Sequence, residues 1–255
     1  MAAMLERLLE VRERRGAGLL ALLDPDRLPP EQLEERAAVC AAAGADAILV
    51  GTSLMLSGSR NAEVYRRIKA AVELPLISFP GGVGQVVPDA DAILFLSMVS
   101  GRNPELLIGQ QALAAPLIKE YGLDAISTAY MLVESGTLTS TEYMSNTRPL
   151  PRRKNDIAMA HALAAEYIGM RTVYLEAGSG AHESVPDEMV RAVSSYVGLP
   201  VIVGGGIRDP ETARAKVEAG ASFVVVGSVL EDGREGLEGH MRGLAEAVHV
   251  KEPSA

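Results

Sequence analysis

The chain has 255 residues, 48% of them hydrophobic, enough to bury a sizeable core and within the size range of one α/β barrel. Its 24 basic against 33 acidic residues leave a formal charge of -9, which excludes a global electrostatic footprint for nucleic acid or an anionic membrane; an anionic ligand would have to be held locally. The single cysteine, Cys40, excludes an internal disulfide, and no apolar run approaches the roughly 18 residues of a spanning helix.

The first fifteen residues are charged and helix-like, unlike a signal peptide, so a cytoplasmic protein with at most transient membrane contact is expected. From there, short β-branched runs ending in Gly, Ser or Asp alternate with Ala-rich stretches of helical period, the pattern of repeated βα units. A strand at 18–23 leads into a helix at 30–43, a strand at 47–50 into a helix at 61–72, and a strand at 75–79 into a Gly-rich stretch, 81–88, too short for a regular helix. Strands at 92–96 and 124–128 precede helices at 104–121 and 155–169. Strands at 172–175, 200–203 and 223–226 precede helices at 186–197, 209–219 and 235–249. Pro30, Pro104, Pro186 and Pro210 fall at first-turn positions, where the missing amide proton has no partner to lose.

Most of these strands are too continuously apolar for a half-exposed antiparallel sheet and fit parallel strands covered by helices. The run Gly44 to Ser53 resembles Gly220 to Ser228, each placing helix end, strand and Gly-Ser/Thr loop in one order, and no G-x-G-x-x-G follows the first strand. The expected architecture is therefore a single (β/α)8 barrel of the TIM type over residues 1–255, with a degenerate helix after the third strand.

In such a barrel the chemistry sits at the C-terminal strand ends. Asp24, Asp26, Thr52, Ser53, Ser97, Tyr130, Glu176, Ser179, Gly204 to Gly206, Gly227 and Ser228 occupy those positions. The loops carrying Gly178 to Gly180, Gly204 to Gly206 and Gly227–Ser228 lie side by side after strands six, seven and eight. They serve either as tight turns or as an amide-rich phosphate cradle, and the three together favour phosphate. At the opposite wall, Asp24 and Asp26 with Thr52 and Ser53 suit a hard cation such as magnesium, or simply a turn in which Asp caps the next segment. His161, His182, His240 and His249 show no ligand spacing with each other or with Cys40. Glu176 is placed in the barrel mouth beside the phosphate loops, either paired with an arginine or accepting a hydrogen bond from a substrate hydroxyl. The long polar connection from Tyr130 to Asn155 reads as a binding segment; its cluster of Arg148, Arg152, Arg153 and Lys154 is either a solvated run or an anion contact.

Together these residues resemble the geranylgeranylglyceryl phosphate synthase family of prenyltransferases, also known as PcrB, over most of the chain. The resemblance is carried by Leu23-Asp24-Pro25-Asp26, Val50-Gly51-Thr52-Ser53, Ser100-Gly101-Arg102-Asn103-Pro104-Glu105, Tyr130-Met131-Leu132-Val133, Tyr143-Met144-Ser145-Asn146-Thr147, Tyr174-Leu175-Glu176-Ala177-Gly178-Ser179-Gly180 and Val203-Gly204-Gly205-Gly206-Ile207. The Met-Ser-Asn-Thr loop is similar to the second of the family's two groups, found in many archaea and some bacteria.

The resemblance implies magnesium-dependent transfer of a geranylgeranyl group from its diphosphate to the C3 hydroxyl of sn-glycerol 1-phosphate, the first ether bond of an isoprenoid lipid. It implies Asp24 and Ser53 at the metal, and Tyr174, Leu175, Glu176, Ala177, Gly178, Ser179, Gly180, Gly204, Gly205, Gly227 and Ser228 at glycerol phosphate. Glu176 and Asp24 would be catalytic, Tyr130 and Met131 would line the prenyl groove, and a homo-oligomer, dimer or hexamer, is expected. Leu22 stands where the other group has Lys, Ala129 where Gly is usual, and Gln111 where the pattern has His. The competing readings are an isomerase or aldolase of the same scaffold, which usually needs a strand-end Lys, Cys or acid–base pair, and a noncatalytic phosphate-ligand sensor.

Overall fold

The computed structural model describes residues 4–54, 58–231, 233 and 235–251. Eight short parallel strands, β1 (Gly18–Leu23), β2 (Ala47–Val50), β3 (Leu76–Ser78), β4 (Ala92–Ser97), β5 (Asp124–Leu132), β6 (Thr172–Glu176), β7 (Val201–Gly204) and β8 (Phe223–Val226), follow one another around a closed barrel. Pairing of Gly18 with Phe223 through Ala21 with Val226 joins the last strand to the first. Around them run α2 (Pro30–Ala42), α3 (Gly58–Ala71), α4 (Gln110–Tyr121), α6 (Asn155–Tyr167), α7 (Asp187–Tyr196), α8 (Pro210–Glu218) and α9 (Leu237–Val248). Before β1 comes α1 (Met4–Arg15), and α5 (Ser140–Ser145) lies in the β5–α6 connection. The fold is thus the expected TIM-type (β/α)8 barrel, and among the described residues no helix is long and apolar enough to cross a membrane.

The alternation of side chains along each strand divides the core in two. Leu19, Ala21 and Leu23 of β1, with Ile48 and Val50 of β2, face the helices, while Leu20, Leu49, Ile77, Leu94 and Ile126 fill the barrel interior. Leu5 and Leu8 of α1 join that interior cluster, so this helix stops the N-terminal end of the barrel. The opposite end is left to loops, which is where polar residues collect.

The largest boundary difference is in β5, which runs to Leu132 rather than ending at 128, because Ala129 to Leu132 pair with Val173 to Glu176 of the next strand. Tyr130 and Met131 therefore belong to the strand and take opposite faces of it. Of the four helix-opening prolines, Pro30 and Pro210 occupy first-turn positions as expected, whereas Pro186 precedes α7 and Pro104 precedes a π-turn, Glu105–Gly109, that leads into α4. The internal repeat is structural: Ala45 donates to Cys40 O at the end of α2 (2.9 Å) as Ala221 donates to Lys216 O at the end of α8 (3.0 Å).

Between β3 and β4 only a 3-10 turn, Val83–Gln85, stands where a helix would complete the ring. Gln85 of this turn is buried and grips the β2 loop, donating to Thr52 O (2.8 Å) and accepting from Thr52 N (3.3 Å). The two loops meet so closely that a side chain at Gly51 would overlap the Phe79 carbonyl. Gly51→Ala is accordingly expected to lower stability by about 1–3 kcal/mol through overpacking against rigid backbone, read as a lower urea midpoint with an unchanged m-value.

Candidate active site

Because β6 alternates faces, Val173 and Leu175 point to the helices while Tyr174 and Glu176 point inward. Glu176 is buried, and its Oε1 accepts a 2.6 Å hydrogen bond from the Gly178 amide. Loss of water around the carboxyl raises its pKa to about 7; the Gly178 amide and the neighbouring Tyr174 hydroxyl oppose this only in part. The Tyr174 hydroxyl itself is buried without a geometrically formed hydrogen bond, and burial with the nearby Glu176 carboxylate pushes its pKa well up. An acceptor with a pKa near neutrality and an unpartnered donor therefore share one corner of the barrel mouth.

The glycines of the next loop are fixed by this pair. A side chain at Gly204 would strike the Tyr174 hydroxyl, and one at Gly205 (φ +81°) would strike Glu176 Oε1. Bare backbone at these positions lets a buried acid and a row of amides occupy the same few ångströms. The Gly178 to Gly180, Gly205 and Gly227–Ser228 segments all border one cleft of about 280 Å3, with a short 3-10 turn, Ser228–Leu230, after β8. This matches the place where barrels of this type hold phosphate.

On the opposite wall Asp24 and Ser53 line the same cleft. Asp24 Oδ1 accepts from the Asp26 amide (2.8 Å), so the turn-capping role weighed for this residue is real, while its Oδ2 lies 4.0 Å from Arg27 Nε. Burial raises the Asp24 pKa, opposed by its hydrogen bonds. Asp26 turns away to accept from the Thr52 hydroxyl (2.8 Å). Among the described residues no three His, Cys, Asp or Glu side chains gather at one point. One carboxylate and one hydroxyl suit a hard cation that keeps most of its oxygen ligands from water and substrate phosphate, and no soft metal.

The third wall is apolar and comes from the missing helix. Gly82, just before the 3-10 turn, and Val83 of the turn border the cleft with Leu106, Gln111, Ala114 and Ile118, and so do residues on both faces of β4. The opening therefore continues from inside the barrel, past the end of β4, to its outer side. Phe79 stacks on Tyr174 (centroids 5.3 Å, 18°), and Tyr130 leans on Tyr174 at 5.4 Å, so three of the chain's few aromatic rings mark the junction of polar and apolar walls. Thr141, Met144 and Ser145 of α5 lie over the cleft.

Of the residues singled out from sequence, Asp24, Ser53, Tyr130, Tyr174 and Glu176 converge on this cleft, together with Gly178, Ser179, Gly180, Gly205, Gly206, Gly227 and Ser228, whereas Gly204 ends β7 behind Tyr174 and does not border it. Met131, Leu175 and Ala177 do not: strand alternation sends them into the helix-facing core. The basic cluster also stays away, since Arg152 pairs with Glu183 (2.8 Å) and Arg148 borders a separate recess with Arg102. Ala129 is buried in the same outer core, where a methyl is accommodated, and Leu22 lines the cleft. Sequence reasoning missed Phe79, Met98 and Leu106, because inward or groove-facing apolar residues carry no signal distinct from core. Gln111, noted only as a departure, borders the groove and donates to Leu96 O and, at 3.0 Å, Leu106 O, tying the π-turn to β4.

The model of the PcrB family matches residues 9–248. Proteins named geranylgeranylglyceryl phosphate synthase are similar over nearly the whole chain. That of Chitinophaga pinensis is 43% identical over 94% of this chain and 95% of its own, and that of Korarchaeum cryptofilum 46% identical over 90% and 94%. The crystal structure of (S)-3-O-geranylgeranylglyceryl phosphate synthase from Thermoplasma acidophilum in complex with sn-glycerol-1-phosphate superposes with a TM-score of 0.92 at 34% identity, covering 98% of this chain and 99% of that one.

The burial of Glu176 has a measurable cost. An acid whose folded pKa is about 7 against 4.5 for the ordinary group binds more protons in the folded than in the unfolded state. Stability is therefore lost as pH rises from the unfolded to the folded value, by roughly 3 kcal/mol in full. Glu176→Gln is expected to melt several degrees above wild type at pH 8 and close to it at pH 4.5, in paired thermal scans.

Proposed function

The chain belongs to the PcrB family, and we propose that it is a geranylgeranylglyceryl phosphate synthase, moving a C20 prenyl group from its diphosphate to the C3 hydroxyl of sn-glycerol 1-phosphate. One observation carries the reading: the buried Glu176 carboxyl stands where an amide-rich anion cradle meets an apolar groove, in a single cleft. That is the junction an ether-forming prenyl transfer requires, with a phosphate on one side and a hydrocarbon on the other.

The glycine loops after β6, β7 and β8 hold the glycerol phosphate through backbone amides, leaving its C3 hydroxyl near Glu176 and the Tyr174 hydroxyl. Tyr130 and Phe79 border the start of the groove, and the prenyl chain runs between the 3-10 turn and α4. As the glycerol oxygen bonds to C1 of the prenyl chain, the C1–oxygen bond to diphosphate breaks and the hydroxyl proton passes to the Glu176 carboxylate. Asp24 and Ser53 would hold magnesium, which would supply charge neutralisation to the departing diphosphate. Most of the acceleration comes from positioning and charge stabilisation, with no covalent enzyme intermediate. Among the described residues bordering the cleft there is no Lys, His or Cys, so the isomerase and aldolase readings lack the strand-end Lys or Cys they usually use. Exposed Tyr167 and Ile168, which close α6, and exposed Tyr196, which closes the α7 packed beside it, support assembly into a homo-oligomer.

With radiolabelled prenyl diphosphates of several lengths, sn-glycerol 1-phosphate and magnesium, wild type is expected to form ether product best with the C20 donor. Glu176→Ala should lower kcat by about 10²–10⁴-fold, as for loss of a general base. The wild-type rate should fall tenfold per unit below a pH near 7, the limb set by Glu176. Absence of product from folded wild type with every donor would overturn the assignment, and a pH-independent rate would remove Glu176 as base.

A further inference from the structure

Just beyond the glycines of the β7 loop lies Arg208, which does not border the cleft. Its Nη2 reaches across to the β6 loop and donates to Ala181 O at 2.6 Å. Ala181 is wholly buried and follows Gly178-Ser179-Gly180 directly, and its own amide donates back to Gly178 O at 3.1 Å. The Gly178 amide in turn holds Glu176 Oε1. A continuous set of hydrogen bonds thus leads from the guanidinium, through the turn that presents the loop amides, to the carboxyl of the proposed base.

The other end of the set is anchored as well. The carbonyl of Arg208 accepts from His240 Nε2 of α9 at 2.8 Å, and the adjoining Gly206 packs so tightly that a Cβ there would lie 2.8 Å from Ser184 N of the β6 loop. Neither loop has regular structure of its own to fix it. Without the guanidinium, the turn at 178–181 is held on this side only by backbone packing, and the buried Ala181 carbonyl loses its charged donor.

We propose that Arg208 is the positioning residue of the phosphate cradle: it touches no substrate but clamps the β6 loop to the β7 loop, so that the amides of Ser179 and Gly180 face the phosphate of sn-glycerol 1-phosphate. The proposal rests on the functional reading above. It predicts an effect confined to one substrate, because the prenyl groove lies on the far side of the cleft, between the 3-10 turn and α4.

The test is steady-state kinetics of Arg208→Ala and Arg208→Lys with each substrate varied in turn, beside direct titration with sn-glycerol 1-phosphate and with inorganic phosphate. Arg208→Ala is expected to raise the KM and Kd for sn-glycerol 1-phosphate by about ten- to a hundredfold, the range for loss of a charge-assisted hydrogen bond. Its kcat and its KM for the prenyl diphosphate should stay within about threefold, and Arg208→Lys, which keeps a cationic donor, should recover most of the affinity. A general loosening of the fold would instead move both substrates together and would not be rescued by Lys. Equal affinity for both phosphate ligands in wild type and Arg208→Ala overturns the clamp, as does a loss in kcat alone. Should Arg208→Ala fail to fold, Arg208→Gln carries the same comparison with Arg208→Lys. A wild type that binds inorganic phosphate, with affinity lost in Arg208→Ala, but ignores sn-glycerol 1-phosphate overturns the substrate assignment and leaves the clamp standing; one that binds neither overturns both.

Discussion

A carboxylic acid kept almost without water at the mouth of the barrel constrains everything around it. Glu176 is buried and satisfied by one amide, that of Gly178, and the space it and Tyr174 occupy dictates that residues 204 and 205 have no side chain. The glycine loops are therefore glycine for two reasons at once: room for the acid behind them and exposed amides in front. An acid held with a pKa near 7 at the expense of stability changes charge near neutrality, which suits the proton transfer proposed for it. The same burial that makes the acid expensive makes it basic enough to take a proton.

The second constraint is topological. A complete ring of helices would seal the outer side of β4, and a barrel so sealed offers only a central cavity. Replacing the helix after β3 by one 3-10 turn opens a channel whose inner end is polar and whose outer end is apolar. Gln85 keeps the shortened connection from collapsing into that gap by bonding both backbone groups of Thr52, and Gln111 does the equivalent on the far wall by holding the π-turn against β4. An amphiphilic substrate, charged at one end and hydrocarbon at the other, fits a channel with that polarity gradient.

What the sequence disclosed follows from the same physics. Apolar runs bounded by Gly and Ser located all eight strands, and the Gly-rich stretch after the third located the missing helix, because backbone preference and burial act locally. The polar strand-end residues were legible for the same reason: an Asp, Glu or Ser directly after an apolar strand has nowhere to go but the mouth. Met131 and Leu175 were assigned to the site by motif, yet a strand shows only alternate residues to its interior, and the parity was readable once β5 was known to continue through Tyr130. The groove wall was not legible. Leu106, Met98 and Phe79 are apolar residues doing what core residues do, and only the absence of a helix opposite them turns a packing surface into a binding surface.

The acidic balance of the chain also finds its explanation here. A protein with a formal charge of -9 for which two anionic substrates are proposed would be expected to line its cleft with Arg and Lys, yet the cations around the β6 loop are spent elsewhere. Arg152 joins the β5 connection to the β6 loop through Glu134 O and Glu183, Lys216 of α8 bonds Val185 O and Asp187 at the start of α7, and Arg208 bonds Ala181 O. All three hold the loop that follows Glu176, from the βα units on either side of it. A lysine or arginine inside the cleft would lower the pKa of the neighbouring acid and weaken it in the proposed role of base. Fixed amide dipoles attract a phosphate with far less effect on that pKa, and they act only if the loop carrying them does not move. Placing the positive charges behind the loop, as fasteners, is what allows the front of it to be neutral.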